Sequence, residues 1–175
     1  FHIQGFFQNN TEMTEEMHRH CHALLKKYDT TDRELIDLYG GVGTFGIINA
    51  ELFKSVKIIE NSKQCIDAAK RNIKLNSVEN AEAIVIDAKQ IGKLNFSEKS
   101  VFIIDPPRSG MHPKALRAVN EIGPERIIYI SCNPKQLSKE LPRFKDYSIK
   151  SAALFDLFPQ TPHSEAVVEL EKVDS

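Results

Sequence analysis

Short apolar runs that end abruptly in an acid or a polar turn recur along the chain. They are Leu35-Ile36-Asp37-Leu38-Tyr39, Val56-Lys57-Ile58-Ile59-Glu60, Ala83-Ile84-Val85-Ile86-Asp87, Val101-Phe102-Ile103-Ile104-Asp105 and Ile127-Ile128-Tyr129-Ile130-Ser131. Near-continuous apolar runs of this length suit parallel strands covered on both faces. Helices are predicted between them: from Thr11 as N-cap to about Tyr28, from the glycine turn to about Phe53, from Cys65 to Leu75, over 113–122 and over 134–145. The third carries Ile66, Ala69 and Ile73 on one side. Two closing runs, near 147–155 and 165–171, follow one another with no helix between them. The pattern predicts one three-layer α/β domain over residues 1–175, a mostly parallel sheet with one antiparallel edge strand.

In such a sheet, ligands bind beyond the carboxyl ends of the strands, and the candidate chemistry falls there. Gly40-Gly41-Val42-Gly43-Thr44-Phe45-Gly46 turns from the first strand into a helix, and glycines let a backbone pass close to a ligand. Glu60 follows about 20 residues later, the position from which an acid can hold both hydroxyls of a ribose. Asp87 ends the third strand and could receive the exocyclic amine of a purine. The turn lacks the Gly-Lys-Ser/Thr ending of a phosphate loop, and the dinucleotide glycine pattern is incomplete. A nucleoside-containing cofactor without a phosphate cradle, S-adenosylmethionine, fits best. The bland alternative is that the glycines only tighten a turn and Glu60 is a solvated loop acid.

Cys132 stands just past the fifth strand in Ser131-Cys132-Asn133-Pro134. Free cysteines are usually small buried residues. Methyl transfer to an oxygen or amine needs no cysteine; transfer to carbon 5 of a pyrimidine does, because that carbon becomes nucleophilic only once a thiolate has added to carbon 6. A separate base must then remove the carbon 5 proton. Cys132 is the candidate nucleophile, and Glu165, in Pro162-His163-Ser164-Glu165, the candidate base. His18 and His22 share a helix face, but no partner of ligand spacing follows, so they read as helical surface rather than a metal site. Cys65 reads as packing.

Composition narrows the classes. At 175 residues, 41% hydrophobic and 27% charged, the chain can bury a real core, and its net charge of −1 gives no broad pull toward nucleic acid or membrane. Any RNA affinity must come from a local patch or from sequence outside these residues. Three widely spaced cysteines point to a reducing, cytoplasmic setting without disulfides. No apolar run approaches the roughly 20 residues that span a bilayer. The first residue, Phe1, is not Met, as expected of a domain cut from something longer.

The motifs together resemble the catalytic domain of the RNA uracil-5 methyltransferases, over nearly the whole chain. Phe6-Phe7-Gln8-Asn9-Asn10, Asp37-Leu38-Tyr39-Gly40-Gly41-Val42-Gly43, Asp105-Pro106-Pro107-Arg108-Ser109-Gly110, Ser131-Cys132-Asn133-Pro134 and Phe158-Pro159-Gln160-Thr161-Pro162-His163-Ser164-Glu165 are similar to five family motifs in the same order. The resemblance implies a seven-stranded, Rossmann-like class I methyltransferase fold and S-adenosylmethionine as cofactor. It also implies a tRNA or rRNA substrate, Cys132 as nucleophile and Glu165 as proton acceptor. Gln8, Tyr39, Gly41, Thr44, Glu60, Asp87 and Asp105 would line the cofactor site; no metal, membrane or protein partner is expected. Gly40 replaces a cysteine usual in that loop, Gln136 a threonine and Ser164 an aliphatic residue. Longer members carry an N-terminal RNA-binding domain of the OB type, absent from these residues. Two other readings compete: a methyltransferase for exocyclic base amines, against which Arg108 stands where an aromatic would stack, and a cofactor-binding module with a structural Cys132.

Overall fold

The computed structural model describes residues 11–157 and 164–173. Its centre is a seven-stranded sheet in the order β3-β2-β1-β4-β5-β7-β6. The strands are β1 (Glu34–Leu38), β2 (Ser55–Glu60), β3 (Ala81–Val85), β4 (Ser100–Ile104), β5 (Arg126–Ser131), β6 (Tyr147–Phe155) and β7 (Glu165–Lys172). β1 to β5 pair in parallel, while β7 pairs antiparallel with both β5 and β6. The antiparallel pairing falls at the expected edge, and the reversed strand, β7, lies one in from the outermost β6.

The helices are α1 (Thr11–Lys26), α2 (Thr44–Ile48), α3 (Lys63–Leu75), α4 (Pro113–Ile122) and α5 (Pro134–Glu140). Alternation along the strands divides the core. Leu35, Ile58, Ile103 and Ile130 face the layer of α1, α2 and α3; Ile36, Ile59, Ile104 and Tyr129 face α4, α5 and a 3-10 turn at Ala88–Lys93. β1, β4 and β5 are buried along their whole length, as apolar runs covered on both faces must be.

Three elements differ from the sequence expectation. The helix expected to reach Phe53 stops at Ile48 and resumes as a 3-10 turn at Ala50–Leu52. Buried Asn49 sits between them: its side chain donates to the Phe45 carbonyl at 2.8 Å and its Oδ1 pairs with His22 Nδ1 at 3.0 Å, a local bond that competes with the helix. The helix expected over 134–145 ends at Glu140, because Pro142 cannot donate to the preceding turn, and a 3-10 turn at Leu141–Arg143 follows. The third strand runs over Ala81–Val85 rather than to Asp87, which caps the 3-10 turn by accepting from the Lys89 backbone amide at 2.9 Å.

Candidate active site

Register brings the two candidate residues together. Ser131 pairs with Ala166 in the last antiparallel step between β5 and β7, so Cys132, in the bend that follows β5, and Glu165, the first residue of β7, lie at the same end of the sheet, near enough for Glu165 to act on the Cys132 thiol. An ion-pair cluster fixes this register. Buried Arg126, at the start of β5, meets Glu169 and Glu171 of β7, both at 2.6 Å, and lies over the Tyr28 ring at 3.3 Å. A slip of one residue would break both pairs and turn Glu165 to the other face.

Asp105 extends β4 by one residue on the same face and joins the group. Burial pushes the Cys132 thiol above its ordinary value and Glu165 adds to the rise; Arg108 pulls it down, and Asp105 pushes it up less strongly. Burial also raises Glu165, against the opposing pull of Arg108. Burial, then Glu165, then Asp37 push Asp105 upward, although water still reaches its side chain and screens part of the effect. Three acidic groups thus lie close together, and the Arg108 guanidinium favours the charged forms of Cys132 and Glu165. Asn133 holds the loop bearing that cation: its side chain donates to the Arg108 carbonyl at 3.1 Å.

Beside this cluster lies the glycine turn. Gly41 and Gly43 adopt left-handed conformations at φ 52 and 87, which a side chain would strain. A Cβ at Gly41 would meet nothing within 4 Å, so that glycine opens onto free space rather than packing. Gly40 is different: an added Cβ would fall 2.8 Å from Ile58 and 2.9 Å from Asp37, so the cysteine usual here would not fit this turn as it stands. Below it, Asp37 Oδ2 accepts the Gly46 amide at 2.8 Å, while Asp37 Oδ1 is buried without a hydrogen-bond partner among the described residues. Burial first, opposed by the Gly46 bond and reinforced by Glu60, raises this carboxyl to about 7.

A family model described as tRNA (uracil-5-)-methyltransferase matches residues 1–173. The chain belongs to that family. An uncharacterized RNA methyltransferase of Caldanaerobacter subterraneus is 37% identical over 172 residues, 96% of this chain and 37% of the relative. The tRNA (uracil(54)-C(5))-methyltransferase of Pyrococcus furiosus is 33% identical over 172 residues, 98% of this chain and 40% of the relative. The crystal structure of the Pyrococcus abyssi tRNA (uracil-54, C5)-methyltransferase with S-adenosyl-L-homocysteine superposes with a TM-score of 0.82 at 33% identity. That superposition covers 95% of this chain and 40% of that one. The chain thus spans about two-fifths of the relatives it matches.

Within this uracil-5 methyltransferase frame, the residues read from the sequence divide into two groups. Asp105, Cys132 and Glu165 come together. Glu60 and Tyr39 are the next positions in neighbouring strands, one step past the Leu38–Ile59 pair, but the two side chains part. Tyr39 turns at φ 66 toward the α4 layer, where the His112 backbone bonds its phenol; burial raises that phenol to about 12. Glu60 holds the Asn61 and Ser62 amides at 2.8 and 2.9 Å, fixing the entry to α3. Asp87 is tied to Lys89, whose side-chain bond lowers its carboxyl, and Thr44 is exposed at the start of α2. Gln8 and Phe158 to His163 lie outside the described residues. His22 bonds Asn49, and His18 rests edge-on against Phe45 at 4.8 Å. Sequence reading gave no role to Asp37, although an acid inside the apolar run Leu35 to Leu38 was its signal. It also used Arg108 only as an argument against aromatic stacking.

Proposed function

We propose that this chain carries the catalytic centre for S-adenosylmethionine-dependent methylation of uridine carbon 5 in a tRNA or rRNA. The observation that supports the reading is the β5–β7 register, whose last pair, Ser131 with Ala166, leaves a half-buried cysteine and a buried glutamate as neighbours at one end of the sheet. The cofactor suits the residues present. The open space above Gly41 admits a ligand beside the backbone, and the unpartnered Asp37 Oδ1 suits an amino-acid ammonium.

In this mechanism the Cys132 thiolate adds to carbon 6, and the carbon 5–carbon 6 double bond shifts its electrons onto carbon 5 and the adjoining carbonyl. S-adenosylmethionine, when bound, supplies the electrophilic methyl that carbon 5 takes up. Glu165 then removes the carbon 5 proton, the double bond reforms and the thiolate leaves. Burial suits Glu165 to this work, since a raised carboxyl is a stronger base. Burial first, and then Glu165, hold the thiol up, and the Arg108 guanidinium favours its ionisation. The target uridine would have to leave its stack to reach the crevice.

The test uses RNA substituted with 5-fluorouridine, whose fluorine cannot leave as a proton. With S-adenosylmethionine, the chain is expected to form a covalent complex that survives a denaturing gel. Cys132→Ala is expected to lose that complex and keep its cofactor affinity. A methylated product without any adduct, or loss of cofactor binding in the alanine variant, would overturn the reading.

A further inference from the structure

We infer that the outer faces of α4 and α5 form the track along which the RNA backbone runs away from the crevice. This rests on the proposed RNA substrate. Lys114 and Arg117 on α4, Lys135 and Lys139 on α5, and Arg143 and Lys145 just beyond it are all exposed. None of the six takes part in an ion pair among the described residues. Glu121 is the one exposed acid over residues 113–145. The α4–α5 layer therefore carries its exposed cations with a single exposed acid among them over these residues.

The two helices cover the same face of the sheet. The loop before α4 is tied to α5, where the Met111 amide donates to Glu140 Oε2 at 3.2 Å, and α4 is tied to the 3-10 turn after α5, where the Asn120 side chain donates to the Arg143 carbonyl at 3.0 Å. On α4 the buried Ala115, Leu116, Ala118 and Val119 turn Lys114 and Arg117 outward; on α5 buried Leu137 and Glu140 do the same for Lys135 and Lys139. Lys135 and Lys139 stand one helical turn apart, about 6 Å along the axis. The row begins three residues after Cys132, so a strand with its target base in the crevice has its neighbouring phosphates beside these cations. The opposite layer mixes signs, with Glu12, Glu15, Glu16 and Glu51 exposed among its cations. A polyanion is the partner this asymmetry fits, and affinity for it comes from neutralised phosphates.

The test removes three charges from each layer in turn. One variant is Arg117→Gln, Lys135→Gln, Lys139→Gln; the matched control is Lys70→Gln, Arg71→Gln, Lys74→Gln on α3. Binding of a labelled tRNA transcript is titrated across a salt series, with cofactor binding and 5-fluorouridine adduct formation measured on the same samples. For the α4–α5 variant, the slope of log affinity against log salt is expected to become shallower by about 2, with affinity roughly tenfold lower at low salt. Cofactor binding should hold, and the control should stay near the parent. Equal losses in both variants, no loss in either, or no RNA binding by the parent would overturn the track. RNA binding that depends on α4–α5 without any adduct would leave the track standing and overturn the Cys132 chemistry instead.

Discussion

Glu165 and Asp37 are both acids whose folded environment favours the protonated form, and each has a separate consequence. For Glu165 the consequence is kinetic. Glu165→Gln keeps the size of the side chain but cannot accept the carbon 5 proton, so thiolate addition and methyl uptake should proceed while elimination stalls. Ordinary uridine RNA should then accumulate as a covalent complex with this variant, read on a denaturing gel, and normal turnover would assign the base elsewhere. For Asp37 the consequence is stability. A carboxyl raised from 3.8 to about 7 binds more protons in the folded chain than in the unfolded one, so its contribution is full below pH 3.8 and is lost as pH rises through about 7. Asp37→Asn still accepts the Gly46 amide and escapes that loss. Urea unfolding should find it close to the parent at pH 4 and more stable at pH 8, by on the order of 3 kcal/mol. The same change should weaken S-adenosylmethionine binding, because the unpartnered oxygen is the one suited to the ligand's ammonium. Equal stability differences at both pH values would mean that Asp37 is already charged in the folded chain.

Among the elements, the loop after β4 is held from behind by α5. Glu140 is 1% exposed; it accepts the Tyr129 hydroxyl and the Met111 amide on one oxygen and the Gln136 side chain at 2.8 Å on the other. The loop thus hangs on the strand that leads to Cys132, which couples the placement of Arg108 to that of Cys132. Gly110, at φ 79, lies against this carboxylate, and an added Cβ would overlap Glu140 Oε1. Gly110→Ala should cost about 2–4 kcal/mol in urea unfolding and slow adduct formation more than it weakens cofactor binding. A variant with parent-like stability and rate would show that the loop accommodates the methyl group. At this scale the sequence was legible where one signal dominated. β4 and β5 announced themselves as unbroken apolar runs and β1 as one interrupted only by Asp37, and Pro113 and Pro134 marked where α4 and α5 begin. Legibility failed where a side chain's tertiary partner decided the outcome. Asn49 ended α2 through bonds to Phe45 and His22, the latter distant in sequence, and Tyr39 left its face by a left-handed turn. That Cys132 and Glu165 meet at one end of the sheet was readable only as two motifs in order; β7, inserted between β5 and β6, is tied to β5 by Arg126 and its distant glutamates.

For the whole molecule, the sheet order separates two tasks. The glycine turn and Glu60 lie at the ends of β1 and β2, toward one edge, while Cys132 and Glu165 lie at the ends of β5 and β7, toward the other, with Asp105 between them at the end of β4. On the proposed reading, cofactor affinity draws on the glycine turn and its neighbours, and RNA affinity on the α4–α5 cations together with the site at the ends of β4, β5 and β7. The relatives are about two and a half times as long, and any RNA contact on their further length would raise the effective concentration of the target at the site shared with this chain. The chain is accordingly expected to bind S-adenosylmethionine at saturable, salt-insensitive affinity and to methylate tRNA or rRNA slowly. Its deficit against a longer relative such as the Pyrococcus abyssi enzyme should lie in the KM for RNA rather than in single-turnover rate at saturating RNA. Raising salt should widen the deficit, because the chain's grip is electrostatic. Steady-state and single-turnover assays of both proteins at two salt concentrations would decide it. Equal KM values with equal single turnover would mean that α4 and α5 hold the RNA as well as the longer relative does; an equal KM with a slower single turnover would mean that the relative's further surface acts on the crevice rather than on RNA affinity.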